Sequence, residues 1–93
     1  MPYSVRFTID AERDWRAVDG SVRRQLVKIF DRLGREPGKY GRALGGRLTG
    51  LCRLRLGDFR VVYQVVESQH AADIWVVAHR RNVYALALAR FTR

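Results

Sequence analysis

Residues 51–64, LCRLRLGDFRVVYQ, decide how this chain folds. Gly57 and Asp58 suit a two-residue hairpin loop. Such a loop fixes the pairing on either side: Leu56 with Phe59, Arg55 with Arg60, Leu54 with Val61, Arg53 with Val62 and Cys52 with Tyr63. Because strand side chains alternate, Cys52, Leu54, Leu56, Phe59, Val61 and Tyr63 share one apolar side. Arg53, Arg55 and Arg60 share the other, with Arg55 directly across from Arg60 at roughly 5 Å between Cβ atoms. Like charges so placed repel, and a surface that accepts the repulsion is suited to holding an anion.

The chain has 93 residues, which is room for one domain with one modest core, so residues 1–93 are expected to form a single unit. A hydrophobic share of 47% and a charged share of 29% belong to a folded chain and not to a disordered one. Eighteen Lys and Arg stand against nine Asp and Glu, a formal charge of +9. Sixteen of the eighteen are arginine, whose planar fork grips phosphate bidentately and stacks on bases where lysine offers only a point charge. The expected partners are nucleic acid or an acidic protein, with an anionic membrane surface third. Cys52 is the single cysteine, which allows no intrachain disulfide and gives no sign of an oxidising compartment. The opening MPYSVRFTID lacks the apolar run of a signal peptide or a membrane span. The expected location is cytoplasmic.

Outward from the hairpin, Tyr3, Val5, Phe7 and Ile9 alternate with Ser4, Arg6 and Thr8 as a first strand. Asp10 is the expected N-cap of a short helix that buries Ala11, Trp15 and Val18. Asp19, Gly20 and Ser21 break that helix and start another, with Val22, Leu26, Ile29, Phe30 and Leu33 at helical spacing, ended by Gly34 and Pro37. Arg23, Arg24, Lys28 and Arg32 form its solvated face. The glycine-rich stretch 38–50 reads as a loop, and it lacks the Gly-Lys-Ser/Thr ending of a phosphate-binding loop. Gln69 and His70 make a turn, Ala72–His79 a last strand, and Asn82 caps a helix with Val83, Ala87, Leu88 and Phe91 on its apolar stripe. The predicted fold is α+β: an N-terminal strand, an α-helical hairpin packed on one face of a small antiparallel sheet, three further strands and a C-terminal helix. The opposite face is expected to be an open, basic, concave surface.

Two histidines and one cysteine are too few and too scattered for a zinc site, so no metal and no cofactor is expected. No serine, histidine and acid set with a local signature supports acyl chemistry. What remains is the cationic hairpin face and the cluster His79-Arg80-Arg81-Asn82-Val83-Tyr84. If Asn82 opens a helical turn, Arg80 and Tyr84 approach one another across that corner. Cations that meet developing phosphorane charge, with an acid and a base for proton transfer, are what RNA strand scission requires.

LRLGDFRVVYQV followed by VVAHRRNVY, behind an amphipathic helical hairpin and the opening YSVRFT, resembles the RelE/ParE superfamily of bacterial toxin–antitoxin toxins over essentially the whole chain. The resemblance implies a RelE-like α+β fold and, for the RelE branch, metal-independent cleavage of mRNA in the ribosomal A site by attack of the ribose 2′-hydroxyl on the adjacent phosphate. ParE-type members share the fold and poison DNA gyrase instead. Carried over residue by residue, the resemblance places the catalytic surface at Arg55, Arg60, Arg80 and Tyr84, with Arg53, Arg55, Arg60 and Arg81 on RNA and His79 as a further candidate acid or base. It also implies an acidic, RelB-like cognate antitoxin in a toxin–antitoxin hetero-oligomer. Arg53 and Arg55 stand where the best-known members carry lysines, and a guanidinium clamps phosphate but makes a poor base. Base duty then passes to Tyr84, His79 or the ribosome. Each residue also has a structural reading: Arg53 and Arg55 in ion pairs with the antitoxin, Tyr84 packed under the last helix, His79 hydrogen-bonded in its strand, and Trp15 and Trp75 in the core.

Overall fold

The computed structural model describes residues 2–92. In chain order the elements are β1 (Ser4–Phe7), α1 (Ile9–Ala17), α2 (Gly20–Arg35), α3 (Pro37–Tyr40), β2 (Arg42–Ala43), β3 (Cys52–Leu56), β4 (Phe59–Val66), β5 (Ala71–His79) and α4 (Val83–Phe91). The β3–β4 hairpin has the register that its sequence predicts, from Cys52 opposite Tyr63 to Leu56 opposite Phe59. Gly57 takes φ +56°, a left-handed conformation that a tight hairpin turn needs and that only glycine adopts without cost.

The sheet order is β1-β5-β4-β3-β2. Four of its strands pair antiparallel, and β1 adds a parallel edge beside β5. A long stretch of chain, not a tight turn, separates β1 from β5, so nothing forces that pair to be antiparallel. The stretch read as a plain loop contains α3, the two-residue strand β2 and a 3₁₀ turn at Gly46–Leu48. No helix among the described residues is long and apolar enough to cross a membrane.

Thr8, not Asp10, caps α1: its hydroxyl accepts from the Ala11 N–H at 3.1 Å, while Asp10 and Glu12 complement the dipole within the first turn. Asp19 caps α2 by accepting from the Ser21 N–H at 3.1 Å. Arg23 reaches back from α2 to the carbonyls of Trp15 and Val18, satisfying the acceptors left over where α1 ends. The two helices thus lie as one layer. Their stripe of Ala11, Leu26, Phe30 and Leu33 packs on Leu54, Val61, Tyr63, Ile74 and Val77 of the sheet, the face that alternation predicts.

The opposite face differs from the expected open concavity. Helix α4 lies across it, and Val83 and Ala87 form a second core with Leu51, Val62 and Val76. A bulge in β5 helps to seat this helix. Val62 pairs with Val76 and Tyr63 with Ile74, so Trp75 has no partner across the ladder and its strand bends. The Trp75 carbonyl accepts from Arg90 of α4 at 3.0 Å, and the indole meets Phe91 edge-on at 5.2 Å between ring centroids. Arg90 also forks onto Asp14 of α1 at 2.7 and 3.0 Å, and Asp14 accepts from the Val77 N–H at 3.0 Å. One ion pair, both side chains largely buried, therefore joins both helical layers at the β5 edge that β1 leaves uncovered.

Tyr63 is fully buried, and its hydroxyl donates to the Pro37 carbonyl at 3.2 Å. Gly41 passes so close that an added Cβ would sit 1.9 Å from that hydroxyl oxygen, so only glycine fits there. Burial above all, with the neighbouring Cys52, pushes the phenol up to about 12. The unfolded chain releases this proton near pH 10, whereas the folded chain holds it to about 12. The resulting stability is complete below pH 10 and is lost as pH rises toward 12. Denaturant unfolding over that window should show the parent losing on the order of 2 kcal/mol more than Tyr63→Phe; parallel pH profiles would refute the assignment.

Candidate functional site

Two cross-strand rows of arginine lie on the α4 face. Arg42 of β2 pairs with Arg53 of β3, and that row continues through Val62 and Val76. One step along the strands, Arg55 pairs with Arg60 and the row continues to Ala78. Residues directly opposite point to the same side, so α4 sits on the apolar end of each row and leaves Arg42 and Arg55 exposed at the other. Arg55 is exposed and Arg53 half-buried.

Arg60 departs from its expected open position: it is only 9% exposed. It stands on β4, an inner strand of the sheet, and its Nη1 curls back to donate to the carbonyls of Gly57 and Phe59, both at 2.8 Å. This resolves the repulsion anticipated between Arg55 and Arg60. One guanidinium is exposed to solvent while the other is tucked against the dipoles of its own turn.

The same turn gathers Arg80. The Arg80 N–H donates to the Asp58 carbonyl at 2.7 Å, and its Nε lies 3.6 Å from the Asp58 carboxylate, both side chains being exposed. Arg81 is exposed, its N–H directed at Nδ1 of His79 at 3.2 Å. His79 is not brought to the arginine rows of β2, β3 and β4. It stands opposite Phe59, and their rings meet edge-on at 6.1 Å between centroids, on the side of the sheet that carries the helical hairpin. Tyr84 is 39% exposed and is not packed under α4. It lines an open groove of about 560 Å³ with Arg47 and Leu48 of the 3₁₀ turn and Leu88 of its own helix.

Ion pairing divides the cations. Arg6, Arg16, Arg35 and Arg90 pair with Asp73, Glu12, Asp31 and Asp14. Among the described residues no ion pair involves Arg42, Arg47, Arg53, Arg55 or Arg60, and the helical hairpin keeps Arg13, Arg24, Lys28 and Arg32 outside any ion pair as well. Strands β2, β3 and β4 contain no carboxylate, so Asp58 at the hairpin tip is the acid nearest to these rows in the chain.

A sequence profile of the ParE toxin of the type II toxin–antitoxin system parDE matches residues 5–84. This chain belongs to the RelE/ParE superfamily of type II toxins. It is 34% identical over 85 residues to Toxin RelG of Mycobacterium tuberculosis, spanning 90% of this chain and 98% of that protein. To Toxin RelE of the same organism it is 33% identical over 86 residues, spanning 91% and 89%. The toxin–antitoxin complex RelBE2 of M. tuberculosis contains a chain that superimposes with a TM-score of 0.79 at 33% identity, over 86% of this chain and 93% of that one. A mutant of the Escherichia coli toxin RelE in the free state gives a TM-score of 0.80 at 26% identity, over 97% and 98%.

Arg42 and Arg47 of this toxin were not singled out in the sequence because β2 is two residues long and sits in a glycine-rich stretch with no alternation to read. Cys52 lies on the core side of the hairpin, packed against the first core, and burial pushes its thiol up, which suits packing and not nucleophilic attack. Among the described residues no three His, Cys, Asp or Glu side chains cluster as a metal-binding group. Chemically, the face offers fixed guanidinium groups and one accessible phenol, an arrangement that binds an oxyanion and stabilises charge developing on it.

The two arginines of the Arg55–Arg60 pair should respond differently to truncation. Arg60→Ala strips donors from two turn carbonyls and opens a void, and should cost about 1–2 kcal/mol in urea unfolding. Arg55→Ala removes an exposed side chain and should stay within about 0.5 kcal/mol of the parent. Equal midpoints for the two variants would contradict the burial of Arg60.

Proposed function

We propose that this toxin is a metal-independent endoribonuclease that cuts mRNA in the ribosomal A site, with the ribose 2′-hydroxyl attacking the adjacent phosphate. The observation that supports it most is the two cross-strand arginine rows, on strands that carry no carboxylate, on the face where α4 presents the accessible Tyr84 phenol. Arg55 clamps the scissile phosphate and Arg53 holds the RNA backbone beside it. Arg60, from beneath, and Arg80, from the hairpin tip, stabilise the five-coordinate phosphorus as charge builds on its oxygens, and Arg81 holds flanking backbone. The arginines stay protonated and cannot serve as base, so Tyr84, together with groups of the ribosome, carries the proton transfers. His79 has no part in this scheme, because its ring meets Phe59 on the other side of the sheet.

Two of the relatives bear the name RelE or RelG, which favours the ribonuclease branch. The solved neighbours include RelB–RelE complexes. By analogy an acidic RelB-like antitoxin covers the basic face in a hetero-oligomer, and the site of action is the cytoplasm, where translation runs. The matching profile carries the name ParE, and that favours a second reading in which the same cationic face binds DNA gyrase without chemistry.

Replacing the scissile ribose by its 2′-deoxy analogue deletes the nucleophile and leaves phosphate binding nearly unchanged. On programmed ribosomes cleavage should stop while A-site occupancy persists, and the RNA product should end in a 2′,3′-cyclic phosphate or the 3′-phosphate derived from it. Cleavage of the deoxy substrate at the RNA rate would overturn the mechanism. Intact mRNA with inhibited gyrase supercoiling would establish the second reading instead.

A further inference from the structure

We infer that Arg42, Arg47 and the groove beside Tyr84 form a second nucleotide subsite, which takes the base and phosphate next to the scissile position. The inference rests on the ribonuclease reading and extends it to Arg42 and Arg47, which lie outside the catalytic set. Arg53 and Arg55 are two residues apart on β3, roughly 6.6 Å along the strand, a step comparable to that between successive phosphates of an extended single strand. Each stands opposite another arginine, Arg42 and Arg60 respectively. The face therefore repeats one cationic pair per nucleotide step. If the Arg55–Arg60 pair meets the scissile phosphate, the Arg42–Arg53 pair meets its neighbour.

The groove borders the apolar end of the Arg42–Arg53 row, where Leu48 packs against the cluster that holds Val62. Val83 of α4 belongs to the same apolar cluster as Val62, the residue across the ladder from Arg53, and the next residue, Tyr84, walls the groove. Leu48 and Leu88 supply apolar surface, Arg47 a cation, and Gly45 and Gly46 an open rim. Gly46 holds φ +60° with no atom within 4 Å of an added Cβ, so glycine here keeps the rim clear and the turn tight. An aromatic ring, apolar walls and a cation are the chemistry that holds an unstacked base together with its phosphate. An extended acidic peptide repeats its side chains at the same step, so what favours a nucleotide is the aromatic and apolar groove beside the cations, which suits a base and not a carboxylate.

The test is the double variant Arg42→Ala/Arg47→Ala, with an unchanged melting transition, in single-turnover cleavage on programmed ribosomes. The toxin concentration for half-saturation should rise roughly ten-fold, while the cleavage rate at saturation stays within about two-fold. The salt slope of log affinity should fall by up to about 0.7, the share of the one phosphate held at this subsite. In parallel, a single-stranded RNA pentamer should shift the amide resonances of Gly45, Gly46 and Leu48 in the parent protein. Unchanged half-saturation and salt slope with cleavage intact would overturn this subsite and leave the ribonuclease reading standing. So would a variant that loses antitoxin affinity alone, which would make the groove a protein contact. A parent that neither cuts mRNA nor shows those amide shifts would overturn both.

Discussion

The Gly57–Asp58 turn is the constraint on which the rest of the molecule depends. Because its loop is two residues long, it admits one register between β3 and β4, and that register assigns every side chain of both strands to a face. A slip of one residue would bury Arg53 and Arg55 against the helical hairpin and expel Leu54 from a core in which it is 8% exposed. The turn also has two further duties. The Gly57 carbonyl, with that of Phe59 just beyond the turn, accepts from the Arg60 guanidinium, and the Asp58 carbonyl and carboxylate face the main chain and side chain of Arg80. The element that sets the fold therefore also positions the cations of the candidate site.

A second constraint lies at the other side of the sheet. The bulge at Trp75 and the pair of Asp14 with Arg90 clip α1, β5 and α4 together. Removing one member would leave the other charge largely buried and unpaired, a change that typically costs several kcal/mol. Hydrogen bonding to Asp14 pushes the Arg90 guanidinium up, consistent with a pair that stays charged. The clip holds α4 against the sheet at the helix's C-terminal turn, while Tyr84 in its first turn stays exposed.

What could be read in the sequence was local. The hairpin register followed from a two-residue loop between alternating strands, and the buried stripe of α2 from its spacing. What could not be read depended on neighbours distant in the chain. Nothing in YSVRF states that its partner is β5 or that the pair is parallel. Arg60 reads as an open-face cation until β4 is known to lie inside the sheet, and His79 reads as part of the arginine cluster until its pairing with Phe59 puts it on the other face. The α4 stripe was visible, but not that it would cover half of the arginine side. Asp14 and Arg90, 76 positions apart, carry no sequence signal of their pairing, and Arg42 becomes part of a row only through a two-residue strand.

One register places adjacent residues of β3 in opposite surroundings, Leu54 in the core and Arg55 on the exposed basic face. The direct measurement is to put the same charge at both positions and follow unfolding and translation. Leu54→Asp forces a carboxylate against the helical hairpin at several kcal/mol and should abolish the cooperative transition. Arg55→Asp should keep that transition, within about 1 kcal/mol of the parent, while losing inhibition of translation. A folded Leu54→Asp protein, or an Arg55→Asp protein that unfolds, would contradict the account.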